Sequence, residues 1–290
     1  MISTRGLVKR YRGVPALDGV DLEVPAGSVY GLVGPNGAGK TTLLSILAGL
    51  RSADEGSVAI SVNRSQVAVL PDAPRFERWL TGREVVELAR GLAAGPTRSA
   101  SAVLDEAGLG DAADRSVGGY SRGMLQRLGL AATVVSNPAV LLLDEPASAL
   151  DPVGRRETLD LVRRLRGEAT VVFSSHILAD VQEVSDRIGV LDAGRLLFQG
   201  SAESLLGGDD GSIFEVRVRS GADRVATALR GEPWVTGLTA VDDRRLRVHA
   251  TSTGDAERAL LPALVATGVP VISVTPVAPS LEDVFLELTR

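Results

Sequence analysis

The stretch Tyr120–Asp151, YSRGMLQRLGLAATVVSNPAVLLLDEPASALD, decides the fold of this chain. It contains a helix start rich in serine and glycine, an apolar strand that ends in Asp144-Glu145, and a further aspartate, in a fixed order. Ser121 is a suitable N-cap for a helix over residues 122–135. The apolar residues 140–143 are typical of a strand buried inside a parallel sheet. This order predicts a nucleotide-binding α/β fold.

Composition narrows the possible classes of protein. The chain has 290 residues, enough for one large or two modest domains, and a net charge of −5, which argues against general nucleic-acid binding. It has no cysteine, which excludes disulfides and thiolate metal sites. No run approaches the roughly 20 apolar residues that span a bilayer, and the N-terminus lacks the apolar stretch of a signal peptide. We therefore expect no nucleic-acid partner, and any membrane part must come from another chain.

Alternating strands and helices over residues 1–208 predict a largely parallel sheet with helices on both faces. A helical segment at about 72–135 interrupts the pattern as an insert, and its first helix begins with the capping box Thr81-Gly82-Arg83-Glu84. Short strands are expected around Tyr11-Arg12-Gly13, and Asp192-Ala193-Gly194 predicts a hairpin turn. The other strands are expected at 28–33, 57–62, 66–70, 140–143, 170–174, 188–191 and 195–199. The helices are expected at 41–50, 82–92, 100–107, 122–135, 152–166 and 177–184.

Residues 213–290 predict a second domain behind a glycine-rich linker at 207–211. Its strands are expected at 213–218, 235–241, 244–250 and 271–274, and its helices at 222–229, 255–267 and 281–288. The order β-α-β-β-α-β predicts a small α+β domain of ferredoxin-like topology. It contains no obvious cluster of ligand-type side chains, and His249 is not expected to act in catalysis.

Residues 34–42, GPNGAGKTT, match the phosphate-binding pattern GxxxxGK[ST] between a predicted strand and a predicted helix. The glycines let backbone N–H groups converge on phosphate oxygens, and the helix N-terminus adds partial positive charge. Lys40 is expected to reach the β- and γ-phosphates, and the Thr41 hydroxyl is expected to hold Mg²⁺. The predicted nucleotide-binding residues of this P-loop are Gly34, Pro35, Asn36, Gly37, Ala38, Gly39, Lys40, Thr41 and Thr42.

Two carboxylates, Asp144 and Glu145, end the apolar strand at 140–143. The carboxyl ends of parallel strands form the ligand-binding edge of open α/β sheets. Asp144 is therefore expected to bind Mg²⁺ through water, and Glu145 to act as a general base on the attacking water. Asp-Glu after a strand is, on its own, more often a solvated loop. The P-loop elsewhere in the chain favours the catalytic interpretation.

Together these motifs resemble the ATP-binding-cassette (ABC) ATPases, specifically the subunits that drive ABC-2-type exporters of drugs and antibiotics. The resemblance covers about residues 2–200 and the closing SLEDVFLELT at 280–289. It implies a P-loop NTPase cassette with a helical insert that binds ATP and Mg²⁺. The residues Tyr120–Met124 match the family's signature loop, usually LSGGQ, with Ser121 and Gly123 in agreement. In the family this loop closes on the ATP of a second subunit, which implies a head-to-tail homodimer of cassettes.

The resemblance also assigns roles to four further residues. Tyr11 matches the aromatic residue that stacks on adenine, with a buried core tyrosine as the alternative. Asp151 lies in the loop that crosses between the subunits, and His176 matches the switch histidine that contacts the γ-phosphate. Asp72 occupies a position where the family commonly has glutamine, so the usual amide contact is absent. Its carboxylate can still touch Mg²⁺ or its water, and Asp72 is grouped with Glu145 and His176 as catalytic.

The resemblance implies an ATP-hydrolysing exporter subunit on the cytoplasmic, inner face of the cell membrane, docked on a separate transmembrane permease subunit. The permease is expected in a groove near residues 72–80, where Phe76 and Trp79 either line the groove or pack inside the insert. One alternative is a soluble ABC ATPase acting in translation or DNA maintenance, which the single cassette without a heptad run disfavours. Another alternative treats the C-terminal domain as a small-molecule sensor, and fold alone does not decide between sensing and docking.

Overall fold

The computed structural model describes residues 1–205 and 212–277. The chain divides into two compact units, Met1–Ala202 and Glu203–Arg290. The predicted linker at 207–211, the cassette boundary at 208 and the helix at 281–288 lie outside the described residues.

The first unit consists of two sheets and a helical insert. Its strands are β1 (Ile2–Tyr11), β2 (Val14–Val20), β3 (Glu23–Val24), β4 (Val29–Val33), β5 (Glu55–Ile60), β6 (Val67–Leu70), β7 (Val140–Leu143), β8 (Thr170–Ser175), β9 (Arg187–Asp192) and β10 (Arg195–Gly200). Its helices are α1 (Lys40–Leu47), α2 (Gly82–Gly91), α3 (Ala100–Glu106), α4 (Arg122–Val134), α5 (Pro152–Arg164) and α6 (Leu178–Val184). A short helix, α7 (Ala202–Leu205), follows at the boundary between the units.

The larger sheet has the strand order β10-β9-β4-β8-β7-β6. All its neighbouring strands are parallel except the β9–β10 hairpin. Every residue of β4, β7 and β8 is buried, as expected for strands covered on both faces. Because β4, β6, β7 and β8 are parallel, the loops that follow them emerge at the same edge of the sheet. These loops contain the P-loop, the hinge at Asp72, the Asp144-Glu145 pair and His176.

A smaller antiparallel sheet is built on β1, which pairs with β2, β3 and β5. The two strands expected between 57 and 70 therefore belong to different sheets, because β6 joins the edge of the parallel sheet instead. One apolar core joins the two sheets through α1. This core includes Leu17 and Leu22 from the smaller sheet and the turn that follows β2, Leu43 and Leu47 of α1, and Leu142 of β7.

Helix α1 ends at Leu47, earlier than the predicted residue 50. Gly49 has a φ of 73° and donates its N–H to the Ile46 carbonyl at 2.9 Å. The Leu50 N–H donates to the Ser45 carbonyl, also at 2.9 Å. This is a Schellman motif, in which a glycine in the left-handed conformation stops the helix.

The insert contains α2, α3 and α4, as predicted. Thr81 and Glu84 form the predicted capping box at the start of α2, and Ser121 caps α4 by accepting from the Met124 N–H at 3.2 Å. Helix α4 lies very close to the end of β6, because a Cβ added at Gly129 would come within 2.6 Å of Leu70 Cδ1. This contact joins the insert to the parallel sheet.

The second unit is a four-stranded sheet with two helices. Its elements are β11 (Ser212–Val218), α8 (Ala222–Leu229), β12 (Val235–Asp242), β13 (Arg245–Ala250), α9 (Thr253–Ala266) and β14 (Val271–Val277). The sheet is antiparallel with the order β12-β13-β11-β14, the arrangement of a ferredoxin-like β-α-β-β-α-β unit. It has a core of its own, which includes Val216, Val225, Leu229, Leu246 and Leu260. The predicted fold class is confirmed.

Candidate active site

The P-loop joins the buried strand β4 to α1, and two of its glycines are required by the fold itself. A Cβ at Gly34 would lie 2.1 Å from the Leu191 carbonyl oxygen, and one at Gly39 would lie 2.4 Å from the Ala16 carbonyl oxygen. Gly39 also has a φ of 107°, which L side chains rarely adopt. No side chain caps the N-terminus of α1, so its first backbone N–H groups remain available to a ligand.

Lys40, the first residue of α1, is 6% exposed, unusually buried for a lysine. Its ammonium donates to the carbonyl oxygens of Gly34 at 2.7 Å and Pro35 at 3.2 Å. It also lies 3.6 Å from Glu145 Oε1. The loop thus folds around a fixed cation, which suits phosphate binding next to a carboxylate.

The Asp144-Glu145 pair follows β7 and is positioned by a serine from the neighbouring strand. The Ser174 hydroxyl donates to Asp144 Oδ1 at 2.7 Å and accepts from the Glu145 N–H at 2.9 Å. Asp144 is buried, and Glu145 has a φ of 48°. A left-handed conformation at a residue other than glycine costs about 1–2 kcal/mol and is found preferentially at functional sites. It turns the chain sharply where the strand ends.

His176 follows β8 and contacts Glu145. Its Nδ1 lies 2.8 Å from Glu145 Oε2. A carboxylate oxygen accepts hydrogen bonds, so Nδ1 carries a hydrogen in this contact. Lys40, Glu145 and His176 therefore form a continuous chain of contacts.

A cavity of about 270 Å³ lies beside the P-loop. It is lined by Tyr11, Ala16, Asn36, Gly37, Ala38, Gly39, Lys40, Thr41, Thr42, Asp72 and Glu145. Asp72 is exposed, and its Oδ1 accepts from the Ser148 hydroxyl at 3.3 Å. Most of the predicted nucleotide-binding residues thus meet at one cavity together with two of the predicted catalytic residues.

Tyr11, at the end of β1, is 39% exposed, so the alternative of a buried core tyrosine is wrong. The Lys9 ammonium and the Arg51 guanidinium lie 5.7 and 5.6 Å from the centre of its ring, within range of cation–π attraction. The ring therefore borders the cavity in an electropositive setting.

The signature-loop residues lie apart from this cavity lining. Ser121 is exposed at the start of α4, and Gly123 belongs to the first turn of that helix. Asp151 caps α5 by accepting from the Gly154 N–H at 2.8 Å. The structure therefore places Ser121 and Gly123 at one helix start and Asp151 at another, and none of the three lines the cavity.

Sequence reasoning missed residues that support this site. Ser174 was treated only as the end of a strand, although its hydroxyl contacts both residues of the carboxylate pair. The register between β7 and β8 predicts this contact. Leu143 pairs with Phe173, so the next residues, Asp144 and Ser174, must be neighbours. Gln126 of α4 is buried, and its amide reaches the Glu145 carbonyl at 3.5 Å. Arg51 beside Tyr11 has no distinctive sequence pattern.

Within residues 1–205 and 212–277, no group of three or more His, Cys, Asp or Glu side chains is arranged to hold a metal ion. Across the same residues, no helix has both the length and the apolar character needed to cross a membrane.

Comparison with protein families gives two matches. A family model described as ABC transporter matches residues 17–148. A second model, described as the C-terminal domain of DrrA1-3-like ATP-binding proteins, matches residues 210–289. The two matches fall in the two units of the chain.

Several curated proteins are similar over almost the whole chain. An uncharacterized ABC transporter ATP-binding protein, YxlF of Bacillus subtilis strain 168, is 34% identical, with 100% of both chains covered. The daunorubicin resistance ATP-binding protein DrrA3 of Streptomyces coeruleorubidus is 37% identical over 99% of this chain and 95% of its own length. The daunorubicin/doxorubicin resistance ATP-binding protein DrrA of Streptomyces peucetius is 35% identical over 99% of this chain and 92% of its own.

Solved structures resemble the cassette. A bacterial Atm1-family ABC exporter with ATP bound has a TM-score of 0.64 and 30% identity, covering 71% of this chain and 39% of that one. The dimeric bacterial ABC transporter cassette MJ0796 has a TM-score of 0.64 and 26% identity, covering 69% of this chain and 98% of that one. The chain therefore belongs to the ABC transporter ATP-binding proteins, as an ATPase subunit homologous to the drug-resistance exporter ATPases.

Proposed function

We propose that this ATPase powers an ABC-2-type exporter through a separate transmembrane permease, from the cytoplasmic face of the cell membrane. The similarity that carries the proposal extends over 99% of the chain to daunorubicin resistance ATP-binding proteins and includes the C-terminal domain. The alternative of a soluble ABC ATPase in translation or DNA maintenance has no comparable support.

ATP binds in the 270 Å³ cavity, with the adenine on Tyr11 and the phosphates in the P-loop. The phosphate ligands are the backbone N–H groups at the uncapped start of α1 and the Lys40 ammonium. Lys40 contacts loop carbonyls and Glu145 in this structure, and phosphate oxygens compete for its hydrogen bonds. ATP binding therefore releases Glu145 from Lys40.

The residues present fit a Mg²⁺ ion that is held mainly by the nucleotide. Mg²⁺ typically uses one or two protein oxygen ligands plus phosphates and water, so a site without a carboxylate cluster is suitable. Thr41 would hold the ion directly, Asp144 through water, and Asp72 could contact the same water. When bound, Mg²⁺ neutralises charge that develops on the phosphoryl oxygens.

Hydrolysis depends on Glu145 and His176. Glu145 accepts a proton from the attacking water as a general base. The His176 Nδ1–H fixes one Glu145 oxygen by its 2.8 Å hydrogen bond, which leaves the other oxygen for the water. With a hydrogen on each ring nitrogen, His176 also donates from Nε2 to the γ-phosphate. Positioning and electrostatics supply most of the catalysis.

The signature loop completes the site of a second copy of the chain. The Ser121 hydroxyl and the backbone N–H of Gly123 lie at an exposed helix N-terminus, a second anion-binding arrangement. Neither residue lines the chain's own ATP cavity. In a head-to-tail homodimer these groups reach the γ-phosphate of the partner, and the Asp151 loop lies between the subunits.

The permease docks in a groove of about 420 Å³ between the end of β6 and helices α2 and α4. Phe76 lines the groove and is half-buried, whereas Trp79 is largely exposed and is absent from the lining. Leu92 lines the groove and is 79% exposed, unusually so for a leucine. Exposed apolar side chains beside an apolar groove suit a helical segment of a membrane protein.

Isolation of the tagged full-length chain from detergent-solubilised membranes tests the proposal. We expect a polytopic membrane protein to be retained, to be lost with Leu92→Arg, and to be kept with Leu50→Arg. Leu50 is a matched control, since it is 71% exposed but does not line the groove. Retention of ribosomes instead of a membrane protein would support the alternative function, and equal retention with both variants would contradict docking in the groove.

A further inference from the structure

Helices α5 and α6 are connected by three arginine–carboxylate pairs. Each arginine lies on α5 or directly after it, and each carboxylate lies on α6 or directly after it. The pairs and their shortest distances are Arg155–Asp180 at 2.5 Å, Arg163–Glu183 at 2.8 Å and Arg166–Asp186 at 3.0 Å. The first pair lies at the starts of both helices, nearest to the candidate active site.

The first pair differs from the others in burial. The Asp180 side chain is only 6% exposed, whereas those of Glu183 and Asp186 are 51% and 33% exposed. Burial raises the pKa of Asp180 above its ordinary value, even with the opposing effect of Arg155. A raised pKa means that the ionised carboxylate is less favourable in the folded chain. The free energy of unfolding therefore decreases as pH rises from the ordinary pKa of an aspartate to the raised pKa of Asp180. Ionisation of the buried Asp180 therefore depends on Arg155, which opposes the effect of burial.

The location of the pair suggests a different role. Asp180 lies in the first turn of α6, four residues after His176, and also lines a small cavity together with Glu145, Ser148 and Ser174. Arg155 lies in the first turn of α5, whose N-cap is Asp151. The ion pair thus connects the turn that presents His176 with the helix that follows the Asp151 loop.

We propose that Arg155 and Asp180 are positioning residues. They hold His176 in contact with Glu145 and fix its position relative to the Asp151 loop. The proposal rests on the roles given above to Glu145, His176 and Asp151. The fixed connection passes from the Asp151 cap through Arg155 and Asp180 to the histidine. A displacement of the imidazole would weaken its 2.8 Å contact with Glu145 without disturbing the P-loop.

Steady-state ATPase rates and the affinity for a fluorescent ATP analogue test this role in the full-length chain. We expect Asp180→Asn to lower kcat about tenfold or more, since small misplacements of catalytic groups have effects of this size. Affinity for the analogue should stay within about twofold, because the P-loop is unchanged. Glu183→Gln is the matched control and should keep the wild-type kcat. Should Asp180→Asn fail to fold, the double variant Arg155→Met/Asp180→Asn leaves no unpaired buried charge and serves the same comparison.

A spectroscopic measurement separates positioning from a general structural role. The chain has only two histidines, so His249→Gln leaves His176 as the single source of imidazole signals. In this background we expect the hydrogen-bonded Nδ1–H resonance to persist with Glu183→Gln and to be lost with Asp180→Asn. Wild-type kcat in both pair-breaking variants, or an unchanged resonance, would overturn the proposal. Wild-type turnover in His176→Ala would instead contradict the underlying role of His176.

Discussion

Two helix N-termini in the cassette carry anion-binding motifs, and they differ in what their own chain provides. Helix α1 has no side-chain cap, a buried Lys40 at its first position, and Glu145 and His176 next to it. Helix α4 is capped by the hydroxyl of its own Ser121, and its start is exposed to solvent. The first arrangement supplies a cation and a carboxylate, whereas the second supplies only hydrogen-bond donors. We infer that the second becomes useful when another copy brings its nucleotide.

The glycines at the two helix N-termini also differ, in how much space the fold leaves for a side chain. Gly34 and Gly39 leave no room for a Cβ, which would come within 2.4 Å of a backbone carbonyl oxygen at either position. A Cβ at Gly123 would lie 3.2 Å from Leu150 Cδ2, a contact that a leucine side chain can relieve. The fold thus requires glycine in the P-loop but barely requires it in the signature loop. Packing within the chain therefore does not explain why residue 123 is a glycine, and we infer that contact with a second copy does.

The largest effect is expected at the general base. Glu145→Gln should lower kcat by about 10²–10⁴-fold, the usual contribution of a general base. ATP binding and dimerisation should persist, because the P-loop and the signature loop are untouched. Single-turnover hydrolysis measures the rate, equilibrium titration measures ATP binding, and size-exclusion chromatography with ATP measures dimerisation. A wild-type rate would show that Glu145 is not the base.

Gly39→Ala should destabilise the folded P-loop, because the backbone around Gly39 leaves no room for a side chain. A φ of 107° and the approach to the Ala16 carbonyl oxygen together should lower the free energy of unfolding by about 2–4 kcal/mol. Thermal unfolding and calorimetric ATP titration measure the loss. Normal stability together with normal ATP affinity would mean that the loop tolerates a side chain, against the geometry described here.

Gly123→Ala should show the opposite pattern. Alanine is favoured over glycine in helices by up to about 1 kcal/mol, so stability should stay constant or rise. Turnover should fall roughly tenfold, the value of about 1.4 kcal/mol in transition-state stabilisation, because the added methyl group obstructs the partner's phosphate. Thermal unfolding and ATPase rates are measured on the same preparation. A parallel loss of stability and rate would remove the distinction between the two loops.

The smallest effect is expected at Asp72. Asp72→Gln restores the amide common in the family and removes one charge from the cavity lining. Its partner Ser148 is exposed, and the 3.3 Å hydrogen bond between them is long, so the change in kcat should stay below about fivefold. ATPase rates over a Mg²⁺ titration measure it. A larger loss would mean that the carboxylate has a specific role in this chain.

Much of this comparison could be predicted from the sequence, because local patterns determine it. The P-loop, the Asp144-Glu145 pair and the Ser121 cap each follow from motifs of a few residues. The contacts of Ser174 with the Asp144 carboxylate and the Glu145 N–H could be predicted only from the strand register. The left-handed conformation of Glu145 has no local signal, since such residues are usually glycine or asparagine.

Long-range pairing was the main feature beyond reach of sequence patterns. A strand period does not specify a sheet, so the separation of β5 from β6 could not be foreseen. The Arg155–Asp180 pair joins residues on two different helices, and arginines and carboxylates are too common for their spacing to reveal a contact. The P-loop, Asp72, Glu145 and His176 follow parallel strands at one sheet edge, so predicting the fold class also predicts that these residues lie near one another.

A subunit-mixing experiment tests the central claim, that each ATP site is shared between two chains, most directly. Lys40→Ala inactivates the P-loop of its own chain, and Gly123→Asp repels the partner's phosphate while suiting the first turn of a helix. Each variant alone should be inactive. Mixed in equal amounts, they should recover up to about one quarter of the wild-type ATPase rate, because half the dimers are mixed and each of those has one intact site. A mixture no more active than the separate variants would contradict the shared site.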